Sequence, residues 1–155
     1  LIRQFKKHSV KRSYLAIAQG RVEATTIESY LVRDRGDGVR GSTTDKSAGE
    51  RAVTHVEPVE YLPQHTLVRC RLETGRTHQI RIHLSEAGHM LCGEKVYNRP
   101  LGGKVIPDAS RARRQMLHAV ELGFVHPSTK EELHFTSPLP PDMERVLKRL
   151  RQNAP

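Results

Sequence analysis

What most constrains the fold of this chain is the order in which two hydrophobic periods alternate along it. In "RSYLAIAQG", Tyr14, Ala16 and Ala18 share one face and Leu15 and Ile17 the other, with Gly20 closing the run, so a strand is expected. "VEATTIESYLVRD", "RAVTHVEPVE" and "HTLVRCRLET" read as further strands; in the last, Leu67, Arg69 and Arg71 oppose Val68, Cys70 and Leu72. The spacing then becomes helical. Thr77 is expected to cap a helix on which Ile80, Leu84 and Ala87 share a face, and Gly88 to stop it. "ELGFVHPSTKEELHFTS" returns to two strands about a Pro/Ser/Thr turn. "SPLPPDMERVLKRLRQ" ends the pattern as a helix with a Met143, Val146, Leu147, Leu150 stripe; its Arg145, Lys148, Arg149 and Arg151 suit the negative end of the helix dipole. Strands before and after an isolated helix point to an α+β fold with a mixed, largely antiparallel sheet and few helices. "RGDGVRGSTTDKSAGE", with four glycines and no apolar period, is expected to be a mobile loop. Residues 33–50 and 98–110 are read as the two loops free to move on binding.

A chain of 155 residues fits one domain, here residues 1–155, large enough to bury roughly 70% of its unfolded surface. No apolar run is long enough to cross a bilayer, and the basic start "LIRQFKKHSVKRSYL" has neither the apolar stretch nor the cleavage site of a signal peptide. It also begins without Met, as a processed or excised piece would. Lysine and arginine number 26 against 17 acidic residues, a formal charge of +9, which is the footprint of a phosphate-rich partner. Cys70 and Cys92 have no C-x-x-C spacing and are expected to be buried thiols in a reducing, cytoplasmic setting.

The chemistry concentrates in "TGRTHQIRIHLSEAGH", residues 74–89. Zinc-binding histidines on a helix need i, i+4 spacing, whereas His78 and His83 are five apart and His89 lies past the helix end, so no metal is expected. A ribonuclease-like pair among the nine histidines stays open, since a general base is recognised by its reach and not its position in sequence. The arginines say more. Arg76 precedes the helix and Arg81 lies in its first turn, where the dipole disfavours a cation by about 0.3–1 kcal/mol. Such a pair makes sense opposite a carboxylate or phosphate, giving an anion site of Arg76, Arg81 and the amides near Thr77 and His78.

These residues carry a resemblance. "LETGRTHQIRIHLSEAGHMLCGEKVY" is similar to the C-terminal signature of RluA-type RNA pseudouridine synthases, T-G-R-[TS]-H-Q-[IL]-R-x-H followed by a G-D-x-x-Y-like stretch. "VKRSYLAIAQGRV", "SAGERAVTHVEPVE" and "MLHAVELGFVHPSTKEELHFTSPLPPDM" resemble other segments of the family in the same order, covering about residues 3 to 150. The resemblance implies isomerisation of uridine to pseudouridine in ribosomal or transfer RNA, with no cofactor and no metal, on a nucleotide flipped from its helix. It implies that Tyr14 stacks on the flipped base and takes part in removing the C5 proton. Arg81 would ion-pair with the catalytic aspartate, and Arg76, Thr77 and His78 would shape the cleft and contact RNA.

Two departures follow from the same resemblance. The family's H-R-L-D segment, which bears the catalytic aspartate, is absent, and Glu94 stands in "CGEKVY" where the family usually has Asp. None of Asp34, Asp37, Asp45, Asp108 or Asp142 sits in a matching context. The chain is therefore expected to be a C-terminal portion of a synthase catalytic domain, inactive alone, with an apolar surface covered by the missing portion or by self-association. Two rivals remain at this stage: a stand-alone basic RNA-binding module without catalysis, and a metal-dependent nuclease.

Overall fold

The computed structural model describes residues 1–7 and 9–152. Its elements run α1 (Ile2–Lys6), β1 (Lys11–Gln19), β2 (Thr25–Val32), β3 (Gly41–Thr43), β4 (Glu50–Leu62), β5 (His65–Leu72), α2 (Gln79–Glu86), β6 (Leu117–Val125), β7 (Glu132–Thr136) and α3 (Pro141–Gln152). Seven strands form one sheet in the order β3-β2-β4-β5-β1-β6-β7. Every neighbouring pair is antiparallel, so the expected α+β class holds and the sheet is simpler than mixed.

The alternation in β1 places it at the centre of two cores. Ala16 and Ala18 pack with Val56, Val68, Cys70, Ile80 and Leu84, which puts α2 on that face of the sheet. Ile17 points the other way, into a cluster with Leu67, Met116, Met143, Val146, Leu147 and Leu150, where the stripe of α3 lies. Burying one leucine- or isoleucine-sized side chain contributes roughly 1.5–3 kcal/mol, so each helix is anchored by several such contacts. Tyr14 sits on the α2 face, at the edge of the first cluster.

Helix α2 ends as expected: Gly88 takes φ +85, and the amides of Gly88 and His89 reach back to the carbonyls of Ser85 and Leu84, a Schellman closure. Its start differs. The N-cap is His78, in the left-handed region at φ 56, and no side chain caps the first turn, so Thr77 is not the cap. Gln79 organises this end instead. Its Oε1 accepts from the Arg76 amide (3.1 Å) and the Thr74 hydroxyl (2.7 Å), while Nε2 donates to the Val53 carbonyl (2.9 Å) and Thr54 Oγ1 (2.8 Å).

The glycine-rich stretch expected to be mobile is partly ordered by pairing. Gly41–Thr43 forms β3 along β2, and the preceding turn is fixed by Asp34, which accepts from the amides of Gly36 and Gly38, and by the Arg35–Asp37 ion pair. Glycine content signalled a turn, but the short antiparallel ladder that follows it depends on β2 being alongside. Cys70 and Cys92 are buried free thiols, as expected, and burial pushes both up to about 12.

Candidate active site

Residues of β1, of loop 73–78, of helix α2 and of β6 meet around a hollow of about 280 Å³ lined by Tyr14, Leu72, Arg76, His78, Arg81 and Leu117, among others. Four of the five nominated residues thus meet at one place, though Tyr14 and Arg81 are 67 positions apart in sequence. Thr77 does not join them. It is exposed and lines a larger adjoining hollow of about 510 Å³, with Arg76 as the wall between the two.

A carboxylate for Arg81 is supplied from within the chain by Glu94, the residue that stands where the resembled family usually has Asp. Arg81 Nε donates to Glu94 Oε2 (2.9 Å) and Nη2 to Oε1 (2.6 Å), a two-pronged pair whose carboxylate is fully buried. Glu94 also accepts from the amides of Val96 and Tyr97, both 3.2 Å from Oε1. Burial alone would raise its pKa; the Arg81 hydrogen bonds, these two amides and the Arg81 charge outweigh that and hold it below the usual carboxylate range. The guanidinium carbon lies 5.1 Å from the centre of the Tyr97 ring, and the Tyr97 hydroxyl is 2.7 Å from His78 Nδ1. Burial, then the charges of Arg81 and Arg40, depress the pKa of His78, so its imidazole is neutral in this cationic setting. Arg81 Nη1 has no hydrogen-bond partner among the described residues, and Arg81 lines the hollow.

The three histidines of the segment go separate ways. His78 meets Tyr97, His89 Nδ1 is 2.9 Å from the Gln19 carbonyl, and His83 is fully buried between the hydroxyls of Ser29 and Thr54. The tautomer of His83 follows from the network. The Arg76 amide can only donate, which fixes the Gln79 amide so that Nε2 donates to Thr54; the Thr54 proton then goes to Nδ1, leaving Nε2–H for Ser29. Burial lowers the pKa of His83 to about 4, and the ring works as a neutral link between α2, β2 and β4. Among the described residues no three potential metal ligands come together.

Arg12, on β1 two residues before Tyr14, was not singled out by sequence. Its guanidinium lies over Gly75, where a Cβ would collide with Nη1, and its buried Nε has no partner among the described residues. A basic residue one pleat from Tyr14, on the same face, was the available signal. For Glu94 the signal was a lone acid in an apolar stretch beside an arginine that lacked one.

The model of the RNA pseudouridylate synthase family matches residues 1–86. The chain belongs to that family. It is 40% identical to Ribosomal large subunit pseudouridine synthase D of Neisseria meningitidis serogroup B (strain MC58) over 159 residues, covering 99% of this chain and 42% of that one. It is also 40% identical to Uncharacterized RNA pseudouridine synthase YlyB of Bacillus subtilis (strain 168), covering 99% of this chain and 48% of the relative. The chain therefore spans a little under half the length of these relatives. Human RNA Pseudouridylate Synthase Domain Containing 4 shares the fold with a TM-score of 0.78 at 22% identity, over 97% of this chain and 66% of that one. Human RNA Pseudouridylate Synthase Domain Containing 1 does so with a TM-score of 0.74 at 24% identity, over 99% and 70%. Among the described residues no helix is long and apolar enough to cross a membrane.

Proposed function

We propose that the hollow between Tyr14 and Arg81 receives a uridine flipped out of RNA, and that the complete catalytic domain isomerises it there to pseudouridine. The observation that carries this reading is the meeting of Tyr14, Arg76, His78 and Arg81 on one hollow of a pseudouridine synthase fold. The reaction breaks the bond from ribose C1′ to N1 of uracil and forms the bond to C5; the C5 proton is released to solvent and N1 takes up one in its place. Atoms and electrons balance without an oxidant or co-reactant. A flat phenol against the base contributes roughly 1–3 kcal/mol of stacking. Arg81, oriented by Glu94, presents its remaining edge to a second, incoming carboxylate.

That incoming carboxylate is the nucleophilic aspartate, and we assign it to residues other than these. The five aspartates of this chain are engaged elsewhere: Asp34 with Gly36 and Gly38, Asp37 with Arg35, Asp45 with Ser47, Asp108 with Gly93 and Asp142 with Arg114. The chain is thus one partial catalytic domain, inactive alone, completed by a remaining portion or by association. Its substrate is ribosomal RNA, with transfer RNA as the alternative, in a reducing cytoplasmic compartment. A non-catalytic RNA-binding role draws on the same +9 charge and is separated by activity.

The test uses RNA carrying tritium at uridine C5. The chain alone is expected to bind it in a salt-dependent manner and to release no tritium; turnover would refute the fragment reading. Tyr14→Ala should weaken binding of an RNA with a bulged uridine by about 10–100-fold, and Tyr14→Phe should retain it. Equal affinity of Tyr14→Ala and the unsubstituted chain would refute the stacking role.

A further inference from the structure

We propose that the larger hollow beside the uridine site is a phosphodiester-binding groove, formed by Arg33, Arg40 and Arg76, that holds the RNA backbone flanking the flipped nucleotide. The proposal rests on the uridine reading of the neighbouring hollow for its "flanking", and on its own observations for the anion site. The groove is about 510 Å³, floored by Leu31 and Ile82 and rimmed by those three arginines and Thr77, with Glu50 the one acid lining it.

The charges are unusual in placement. β2 and β3 pair Tyr30 with Thr43, Leu31 with Ser42 and Val32 with Gly41, so the next two residues across the hairpin are Arg33 and Arg40. Like charges facing each other across an antiparallel pair are destabilising. They are brought together by a turn that Asp34 and the Arg35–Asp37 pair hold closed. Arg76 adds a third cation at the start of α2, where the dipole is also unfavourable to it. Several arginines elsewhere meet acids, among them Arg51 with Glu28, Arg71 with Glu57, Arg81 with Glu94, Arg114 with Asp142 and Arg151 with Glu60, while others, Arg99 and Arg145 among them, stand alone and far from one another in sequence. Among the described residues, Arg33 and Arg40 have no carboxylate within 4.0 Å, and Arg76 donates Nε only to the Arg51 carbonyl. Three cations lining one groove, none of them in an ion pair among the described residues, form a receptor for an anion.

Continuity selects the anion. Arg76 lines both hollows, so a ligand entering the Tyr14 hollow and leaving past Arg76 runs directly into the groove. A nucleotide chain has the required form, with a base for the first and a charged backbone for the second. The interaction carries no base information, so it positions the strand without choosing the sequence.

The experiment measures binding of a single-stranded RNA containing one uridine as a function of salt. Arg33→Gln/Arg40→Gln should weaken binding about twentyfold at 0.1 M salt and lower the slope of log affinity against log salt by about 1.4, for two phosphate contacts to a single strand. Arg145→Gln/Lys148→Gln removes the same charge from α3, on the opposite face of the sheet, and should change both little. Arg33→Lys/Arg40→Lys should restore the slope and so exclude a folding defect. Equal losses in the two Gln pairs would overturn the groove and leave the uridine hollow standing. Loss in the Arg33/Arg40 pair with no effect of Tyr14→Ala would overturn the uridine hollow and leave the groove. No binding by the unsubstituted chain would overturn both.

Discussion

Removing one partner of the Arg81–Glu94 pair is the most informative perturbation of this site. The Glu94 side chain has no solvent exposure and that of Arg81 has 11%. Arg81→Met would strand a carboxylate that keeps only the amides of Val96 and Tyr97 as donors. Breaking a buried pair from one side costs about 3–5 kcal/mol, because the remaining charge stays desolvated. In a domain of this size that lowers Tm by roughly 6–20 °C. Glu94→Met should lie at the lower end, since the Arg81 side chain keeps 11% exposure and can recruit water. The double variant Arg81→Met/Glu94→Met should recover most of the loss, as apolar replacements of buried pairs are often neutral. Urea denaturation of the four proteins closes the cycle, provided the m-value is unchanged. Single losses under about 1 kcal/mol, or losses that merely add in the double variant, would refute the claim that this carboxylate orients Arg81.

His83 should make stability depend on acid. Its imidazole takes up a proton near pH 6.5 when unfolded but only near pH 4 when folded, so the unfolded state binds more protons between those values. Stability should therefore be full above pH 6.5, fall by about 3 kcal/mol on descending to pH 4 and lose nothing more from this group below that; a His83→Gln variant showing the same fall in its urea midpoint would refute the assignment. Thr77→Ala should change stability by less than about 0.5 kcal/mol, against about 1 kcal/mol for a true cap, which thermal denaturation separates. Gln79→Ala should cost about 2–4 kcal/mol by the same measurement, since it leaves the buried Thr74 hydroxyl without its acceptor and removes the amide that donates to Thr54.

The β1 alternation and the Met143–Leu150 stripe were legible because periodicity is a local property: side chains two apart on a strand, or three and four apart on a helix, share a face whatever the rest of the chain does. By the same rule the closing turn of α2 could be read from Gly88, since a left-handed residue ends a helix by local geometry. The sequence alone therefore determined the α+β class, the apolar face of α3, the basic character and, through residues 74–83, the family signature, whereas on α2 the expected Ala87 is exposed and Ile82 and His83 are buried with Ile80 and Leu84. Only the tertiary structure decided that Gln79 and not Thr77 organises the start of α2, that Arg81 already holds Glu94, and that Arg33, Arg40 and Arg76 line one groove. Each of these depends on the path of a loop that returns a distant group to within hydrogen-bond reach, and reach in space is not encoded in any local period.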